Sequence, residues 1–433
     1  MKIRLASAAV AVVCLVGPAR LSADVVTDWN NVMLEAIRVD AMNAPRATRV
    51  MAMTHAAIYD AVNSIDDTHF SYHINLDVPS TTSREAAAAQ AAHDVLVSVF
   101  SAQQATLDTA LNNSLSGIPA GPAKTDGIVL GSSVASSIIT LRTNDGSATV
   151  TPYTPGTLPG QWRPTPPANA AALLPNWATV TPWTMTSNSQ FRDPVGPPAL
   201  SSAAYAAEVN EVKAIGAVNS ATRTPDQTNA ARFWAGGAGP VAHWNQIAQT
   251  VAAAEGNTLS ENARMFALVN LAEADALIAS WDNKYTFNFW RPVTAIQLAD
   301  QDGNAATDAD PNWLPLLTTP PYPSYTSGAS TVAGAAGESL KQFYGTDNIS
   351  FSMTVSGIGT RSFTSFSQAS QETADSRMYG GIHFRSEDEL GRANGIALGQ
   401  FIFANELRAV PEPASSVLLL LGLIGVLASL RRR

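Results

Sequence analysis

The chain has 433 residues, 26 basic against 35 acidic side chains and a formal net charge of −9. That balance argues against nucleic acid as the main partner, because a phosphate polymer needs a basic face. Hydrophobic residues make up 46 % of the chain, ample for the core of one large domain or two to three ordinary ones.

The opening stretch, MKIRLASAAVAVVCLVGPARLSA, has a basic start, an apolar run and a small residue at Ala23. Residues 1–23 therefore read as a secretory signal peptide cleaved before Asp24. The single cysteine, Cys14, lies inside it, so the body would carry neither a disulfide nor a thiolate metal site. The body, 24–409, begins with a helical half, 24–143. Trp29, Val32, Met33 and Ile37 share one helix face, with Thr27 or Asp28 as the expected N-cap. Alanine-rich segments such as REAAAAQAAHDVLVSV continue the helical pattern. Over 144–200 the pattern stops, and Pro, Thr, Gly and Trp dominate. Trp162, Trp177 and Trp183 predict an ordered loop packed onto the helices rather than a floppy linker. The second half, 201–409, predicts helices from Ser201 to Asn283, Ser330 to Phe343 and Glu387 to Leu407. With no strand-rich block, the expected fold class is mostly α, in packed bundles.

The chemistry is concentrated in this second half. Lys284 and Arg291 are seven apart in KYTFNFWR, so a continuous helix there would put both cations on one side. Arg377 and His383 are six apart in RMYGGIH. Between these pairs lies PPYPSYTSGAST, in which Ser327 and Gly328 start a helix whose N–H groups would suit an anion. Three cations, a hydroxyl, helix-start N–H groups and an imidazole suit a compact oxyanion carrying two or three charges.

These three ordered segments resemble the vanadium haloperoxidase and type 2 phosphatidic acid phosphatase superfamily. Upstream, HAAIYDAVNSID and FWAGGAGPVAHWNQIA are similar to its bacterial secreted haloperoxidase-like branch, so the resemblance covers nearly the whole body. It implies packed helical bundles of that type, with vanadate as cofactor and phosphate as the alternative occupant. Lys284, Arg291 and Arg377 would neutralise the anion's equatorial oxygens, and Ser327 and the Gly328 N–H would add hydrogen bonds. His383 would be the axial vanadium ligand, or the nucleophile on a phosphoryl group, with Lys284 the other residue expected in catalysis. Vanadium(V) takes oxygen and imidazole nitrogen, and as a Lewis acid it would polarise peroxide for attack by halide. Hydrogen peroxide, a halide and a small organic acceptor are then the expected partners.

The chain departs from that pattern where the superfamily's acid–base histidine follows Ser-Gly: Ala329 stands there. General acid–base catalysis contributes ~10²–10⁴-fold, so the resemblance implies weak peroxidase activity with anion binding better preserved. Thr326 replaces a frequent Pro, and Glu387, four after His383, replaces a usual Asp while keeping the charge to orient an imidazole. Asp275 and Asp282 read either as carboxylates orienting the site cations or as surface and capping charges. Tyr322 falls where the superfamily often has an aromatic. Asp300–Asp310 resembles a calcium loop but lacks its terminal Glu. His55, His69, His73, His93 and His243 would replace the missing histidine only if the fold brought one to Ala329.

The chain ends VPEPASSVLLLLGLIGVLASLRRR, which resembles the PEP-CTERM sorting signal, 410–433. Its apolar stretch, 414–430, is just long enough to cross a bilayer, with the terminal arginines cytoplasmic. Export, transient inner-membrane anchoring and an exosortase-type protease as partner are implied. Two other functions stay open: a phosphatase using His383, and a non-catalytic surface protein that binds oxyanions.

Overall fold

The computed structural model describes residues 24–237 and 239–411, so the expected signal peptide and the apolar stretch 414–430 lie outside the described residues. Among the described residues no helix is long and apolar enough to cross a membrane.

Five helices form the first half: α1 (Val25–Val39), α2 (Ala44–Asp66), α3 (Arg84–Val99), α4 (Gln104–Ser116) and α5 (Pro122–Arg142). α1 starts earlier than the sequence suggested: Asp24 is its cap and accepts from the Val26 and Thr27 N–H groups, leaving Asp28 inside the first turn. The second half runs α6 (Ala203–Ile215), α7 (Pro225–Ala235), α8 (Pro240–Glu255), α9 (Leu259–Phe287), α10 (Pro292–Gln297), α11 (Gly328–Tyr344), α12 (Phe366–Tyr379) and α13 (Arg385–Asn405). The helices expected from Ser201 to Asn283 are thus four, α6 to α9, separated at positions rich in Gly, Pro and Thr caps. A short antiparallel hairpin, β1 (Phe351–Val355) and β2 (Gly359–Phe363), joins α11 to α12.

α9 is the axis. A reciprocal cap at its start, Thr258 with Glu261, opens 29 residues, roughly 44 Å at 1.5 Å per residue. Ala263 and every residue from Met265 to Lys284 are buried, because α2 packs on one side and α11 on another. Glu273, Asp275, Asp282 and Lys284 are consequently charged-type side chains inside a core, and each needs a partner.

Two of them hold the loop over 144–200. Asp275 accepts from the N–H groups of Trp183, Thr184 and Met185 at 2.8, 2.8 and 3.1 Å and from the Thr184 hydroxyl at 2.6 Å. Asp282 takes a two-pronged contact from Arg192 at 2.7 and 2.5 Å. Asp275 therefore does not orient the site cations: it is a buried tether for the loop. Trp162, Trp177 and Trp183 are buried, as an ordered loop requires.

The contact that positions the site is between α11 and α13. Gly391, Gly395 and Gly399 line one face of α13 at intervals of four, and backbone meets backbone there. A Cβ on Gly395 would lie 2.0 Å from the Thr331 carbonyl oxygen. Gly395→Ala should therefore lower stability by about 1–3 kcal/mol through forced separation of the two helices; an unchanged melting temperature would show the interface to be loose. Asp275→Ala should leave four donors unmatched, cost at least about 2 kcal/mol and expose 181–185 to protease; wild-type resistance to cleavage there would contradict the tether.

Candidate oxyanion site

Lys284 and Arg291 do not share a helix face. α9 ends at Phe287, Asn288 takes a left-handed conformation at φ 49°, and Arg291 is extended at the start of α10. A chain reversal, rather than two helical turns, brings the two cations together.

Lys284 is fully buried, and its Nζ donates to the carbonyl oxygens of Pro323, Ser324 and Thr326 at 3.1, 2.8 and 2.5 Å. An ammonium has three hydrogens, so all are used. Burial and then the Arg291 charge push this amine well below lysine's ordinary range, while Glu387 and Asp388 oppose the shift. Three carbonyl acceptors also favour the charged form. Lys284 thus grips the backbone of the turn before Ser327 and gives the site charge, with no spare hydrogen for a ligand. Its Nζ lies 5.1 Å from the centre of the Tyr322 ring, and the Arg291 guanidinium carbon 4.8 Å from the same ring. Tyr322 is therefore the aromatic wall of the site.

Arg291 donates through Nε to the Tyr322 carbonyl at 2.9 Å and through Nη1 to the Ile382 carbonyl at 2.7 Å and to His383 Nε2 at 3.1 Å. His383 Nε2 is therefore an acceptor, and its proton sits on Nδ1, which donates to Glu387 Oε2 at 2.7 Å. Burial first, then Arg291, Lys284 and Arg377, push the imidazole well below histidine's ordinary pKa, so it is neutral. Glu387 also accepts from Ser324 Oγ at 2.7 Å and from the Phe384 N–H at 3.1 Å, and burial raises it to about 7. The glutamate expected to reach His383 in place of a shorter aspartate does so.

Ser327 caps α11, its Oγ accepting from the Ser330 N–H at 3.4 Å, while its own N–H donates to the Glu387 carbonyl at 3.1 Å. That leaves the N–H groups of Gly328 and Ala329, at the first two helical positions, without an acceptor inside the helix. The Gly328 Cα packs against α9: a Cβ there would meet Leu277 at 3.2 Å. Arg377, in the last turn of α12, is buried and exerts its charge on His383.

The decisive feature is what is left unpaired. Arg291 Nη2 and Arg377 Nε and Nη1 are buried donors without a partner among the described residues. Buried guanidinium N–H groups without acceptors are costly, and an oxyanion supplies the acceptors. The donor set therefore fits a tetrahedral oxyanion beside a neutral imidazole nitrogen.

Three of the five other histidines are paired with residues outside the site. His55 bonds Asn30, His93 bonds Asp94 and Asp108, and His69 bonds Thr68. His243 is held neutral by burial and more weakly by the charge of Arg377, with its pKa near 4, and His73 is exposed. Within the loop resembling a calcium site, Asp302 is spent on the Asn304 N–H and Thr307 hydroxyl, and the described residues hold no cluster of three metal-ligating side chains. Sequence reasoning missed Ser324, Ser330 and Asp388. Ser330, three after the Ser327 cap, and Asp388, beside Glu387, were visible as spacing but had no partner to give them meaning. A cavity of about 520 Å³ is lined by Tyr59, Asp66, His69, Arg264 and Tyr344 near the other end of α9. Twenty helical residues separate Arg264 from Lys284, roughly 30 Å, so that cavity is no part of this site.

Comparison with known proteins bears on the family and the fold. Residues 264–411 match the family described as the VCPO second helical-bundle domain, and 409–433 match the PEP-CTERM protein-sorting motif. The vanadium chloroperoxidase of Curvularia inaequalis is 27 % identical, over 78 % of this chain and 70 % of its own length. The crystal structure of the first bacterial vanadium-dependent iodoperoxidase superposes with a TM-score of 0.77 at 30 % identity, covering 90 % of this chain and 97 % of that one. A bacterial vanadium-dependent chloroperoxidase, at 18 % identity and a TM-score of 0.69, covers 84 % of this chain and 92 % of its own and shares the fold. With its unpaired guanidinium donors beside a neutral imidazole and a relative matched almost end to end, the chain belongs to the vanadium haloperoxidase family.

Proposed function

We propose that the protein binds vanadate and oxidises halide with hydrogen peroxide, slowly, outside the cytoplasm. The observation that carries this reading is the set of three buried guanidinium donors without acceptors, beside a neutral His383. Arg291, Arg377, Ser327 and the Gly328 N–H would hold the anion's oxygens, and His383 Nε2 would ligate the vanadium. Bound vanadate would supply a hard Lewis acid that polarises peroxide for attack by halide. Glu387 keeps the His383 proton on Nδ1, so Nε2 retains the lone pair that now accepts from Arg291 and that a vanadium centre would take instead. Lys284 fixes the turn carbonyls and adds positive charge from behind. Ala329 carries no group that moves a proton, which supports slow turnover. The PEP-CTERM motif supports export, with an exosortase-type protease as partner.

The phosphatase alternative is favoured by one feature, the neutral imidazole aimed into the donor set, but it too lacks a leaving-group acid. With vanadate added, the protein should oxidise iodide or brominate a dye in a peroxide-dependent assay. Ala329→His should raise turnover by ~10²–10⁴-fold, and His383→Ala should abolish it. Unchanged turnover in Ala329→His, or p-nitrophenyl phosphate hydrolysis outrunning halide oxidation, would overturn the reading.

Arg377→Ala should weaken oxyanion binding by about ten- to a hundred-fold, from ~1.5–3 kcal/mol of charged hydrogen bonding, with little loss of stability. Lys284→Met should instead act on the fold, lowering the melting temperature by releasing three carbonyls. Equal effects of the two variants on melting temperature would contradict this division of labour.

A further inference from the structure

Ala329 leaves the site without its expected acid–base group, yet one ionisable side chain near the anion position has no assigned role. Asp388, in the first turn of α13, is 3 % exposed. Its Oδ1 lies 2.9 Å from Ser330 Oγ, and Ser330 Oγ lies 2.8 Å from Ser327 Oγ. Ser330 has one hydroxyl hydrogen and two acceptors within reach, so the row Asp388–Ser330–Ser327 can be wired in either direction. The other carboxyl oxygen, Oδ2, is buried with no partner.

An ionised carboxylate two hydroxyls removed from a bound dianion would repel it. The charged and titratable groups that face Asp388 are Glu387 on its own helix and Arg377 from α12, with Lys284 of α9 also within electrostatic reach. The carboxylates of α6, Glu208 and Glu211, are engaged by Ser386 and Arg385. Burial, with Glu387 adding to it, raises the Asp388 carboxyl well above the ordinary range, against the hydrogen bonds from Ser327 and Ser330 and the charge of Arg377. Ser327, which would touch the anion, is thus backed by a carboxyl that readily carries a proton.

Building on the oxyanion reading above, we propose that Asp388 is the site's proton-holding residue in place of the absent histidine, taking up a proton when a dianion enters and connected to it through Ser330 and Ser327. The transfer balances as three proton hops. The Asp388 proton moves to Ser330 Oγ, the Ser330 proton to Ser327 Oγ, and the Ser327 proton to an anion oxygen. Asp388 is left as carboxylate, both hydroxyls are regenerated, and no electrons change hands. Asp388 acts through Ser327, so it positions and stores the proton rather than contacting the anion.

The test is calorimetric binding of tungstate to the full chain at pH 6 to 8, where that ion stays a tetrahedral dianion, in buffers of different ionisation enthalpy. Wild type should take up close to one proton per tungstate bound, and affinity should fall as pH rises. Asp388→Asn should bind tungstate with proton uptake and pH dependence well below those of wild type. Asp388→Ser covers the case in which the asparagine variant fails to fold. Ser330→Ala, which cuts the row, should retain uptake but lower halide-oxidation turnover at least tenfold, and unchanged turnover would remove the relay. Tungstate binding without proton uptake in wild type, or uptake undiminished in both Asp388 variants, overturns this proposal. Absence of tungstate binding at every pH overturns the oxyanion reading itself.

Discussion

Like charges do not gather in a protein interior without something to hold them. Lys284, Arg291 and Arg377 are all buried around one imidazole, and the rest of the second half is arranged to make that tolerable. Lys284 is neutralised in part by three backbone carbonyls, and Arg291 by two. Glu387 and Asp388 lie just behind. What these groups leave unmet, three guanidinium nitrogens, is the capacity the proposed function would use. Desolvation makes those donors expensive when empty and strong when filled, because the low dielectric that penalises them also strengthens any bond they form.

Precision in such a site comes from the helices beneath it. Ser327 opens α11 and Glu387 opens α13, and the glycines of α13 let the two backbones touch. The Ser327 N–H to Glu387 carbonyl bond closes the same joint from above. α9 supplies Lys284 at one end while Asp275 and Asp282, along the same helix, fasten the long loop against it. One helix therefore carries both the site and the tethers of the segment that covers its flank.

The side chains proposed to hold an oxyanion were legible in the sequence, because residues suited to that are few, polar and rigidly spaced. Lys284, Arg291, Ser327, Gly328, Arg377 and His383 stand in three short segments, and Glu387 keeps its distance of four from His383. The mostly α class followed from helical periodicity. What was not legible depends on contacts between distant segments. The reversal at Asn288 looked like helix because Lys284 and Arg291 are spaced like two turns. Asp275 could be read as a partner for the cations because its donors, near Trp183, lie in an irregular loop about 90 residues away in the chain. Asp388 had no signal at all beyond its neighbour, since its meaning depends on Ser330 of another helix.

Structure determination after soaking with vanadate tests the central claim most directly. The account predicts one vanadate per chain, within hydrogen-bonding distance of Arg291 Nη2 and Arg377 Nε and Nη1 and bonded to His383 Nε2. Vanadate bound elsewhere, or a saturating soak that leaves these three donors without an acceptor, would contradict it.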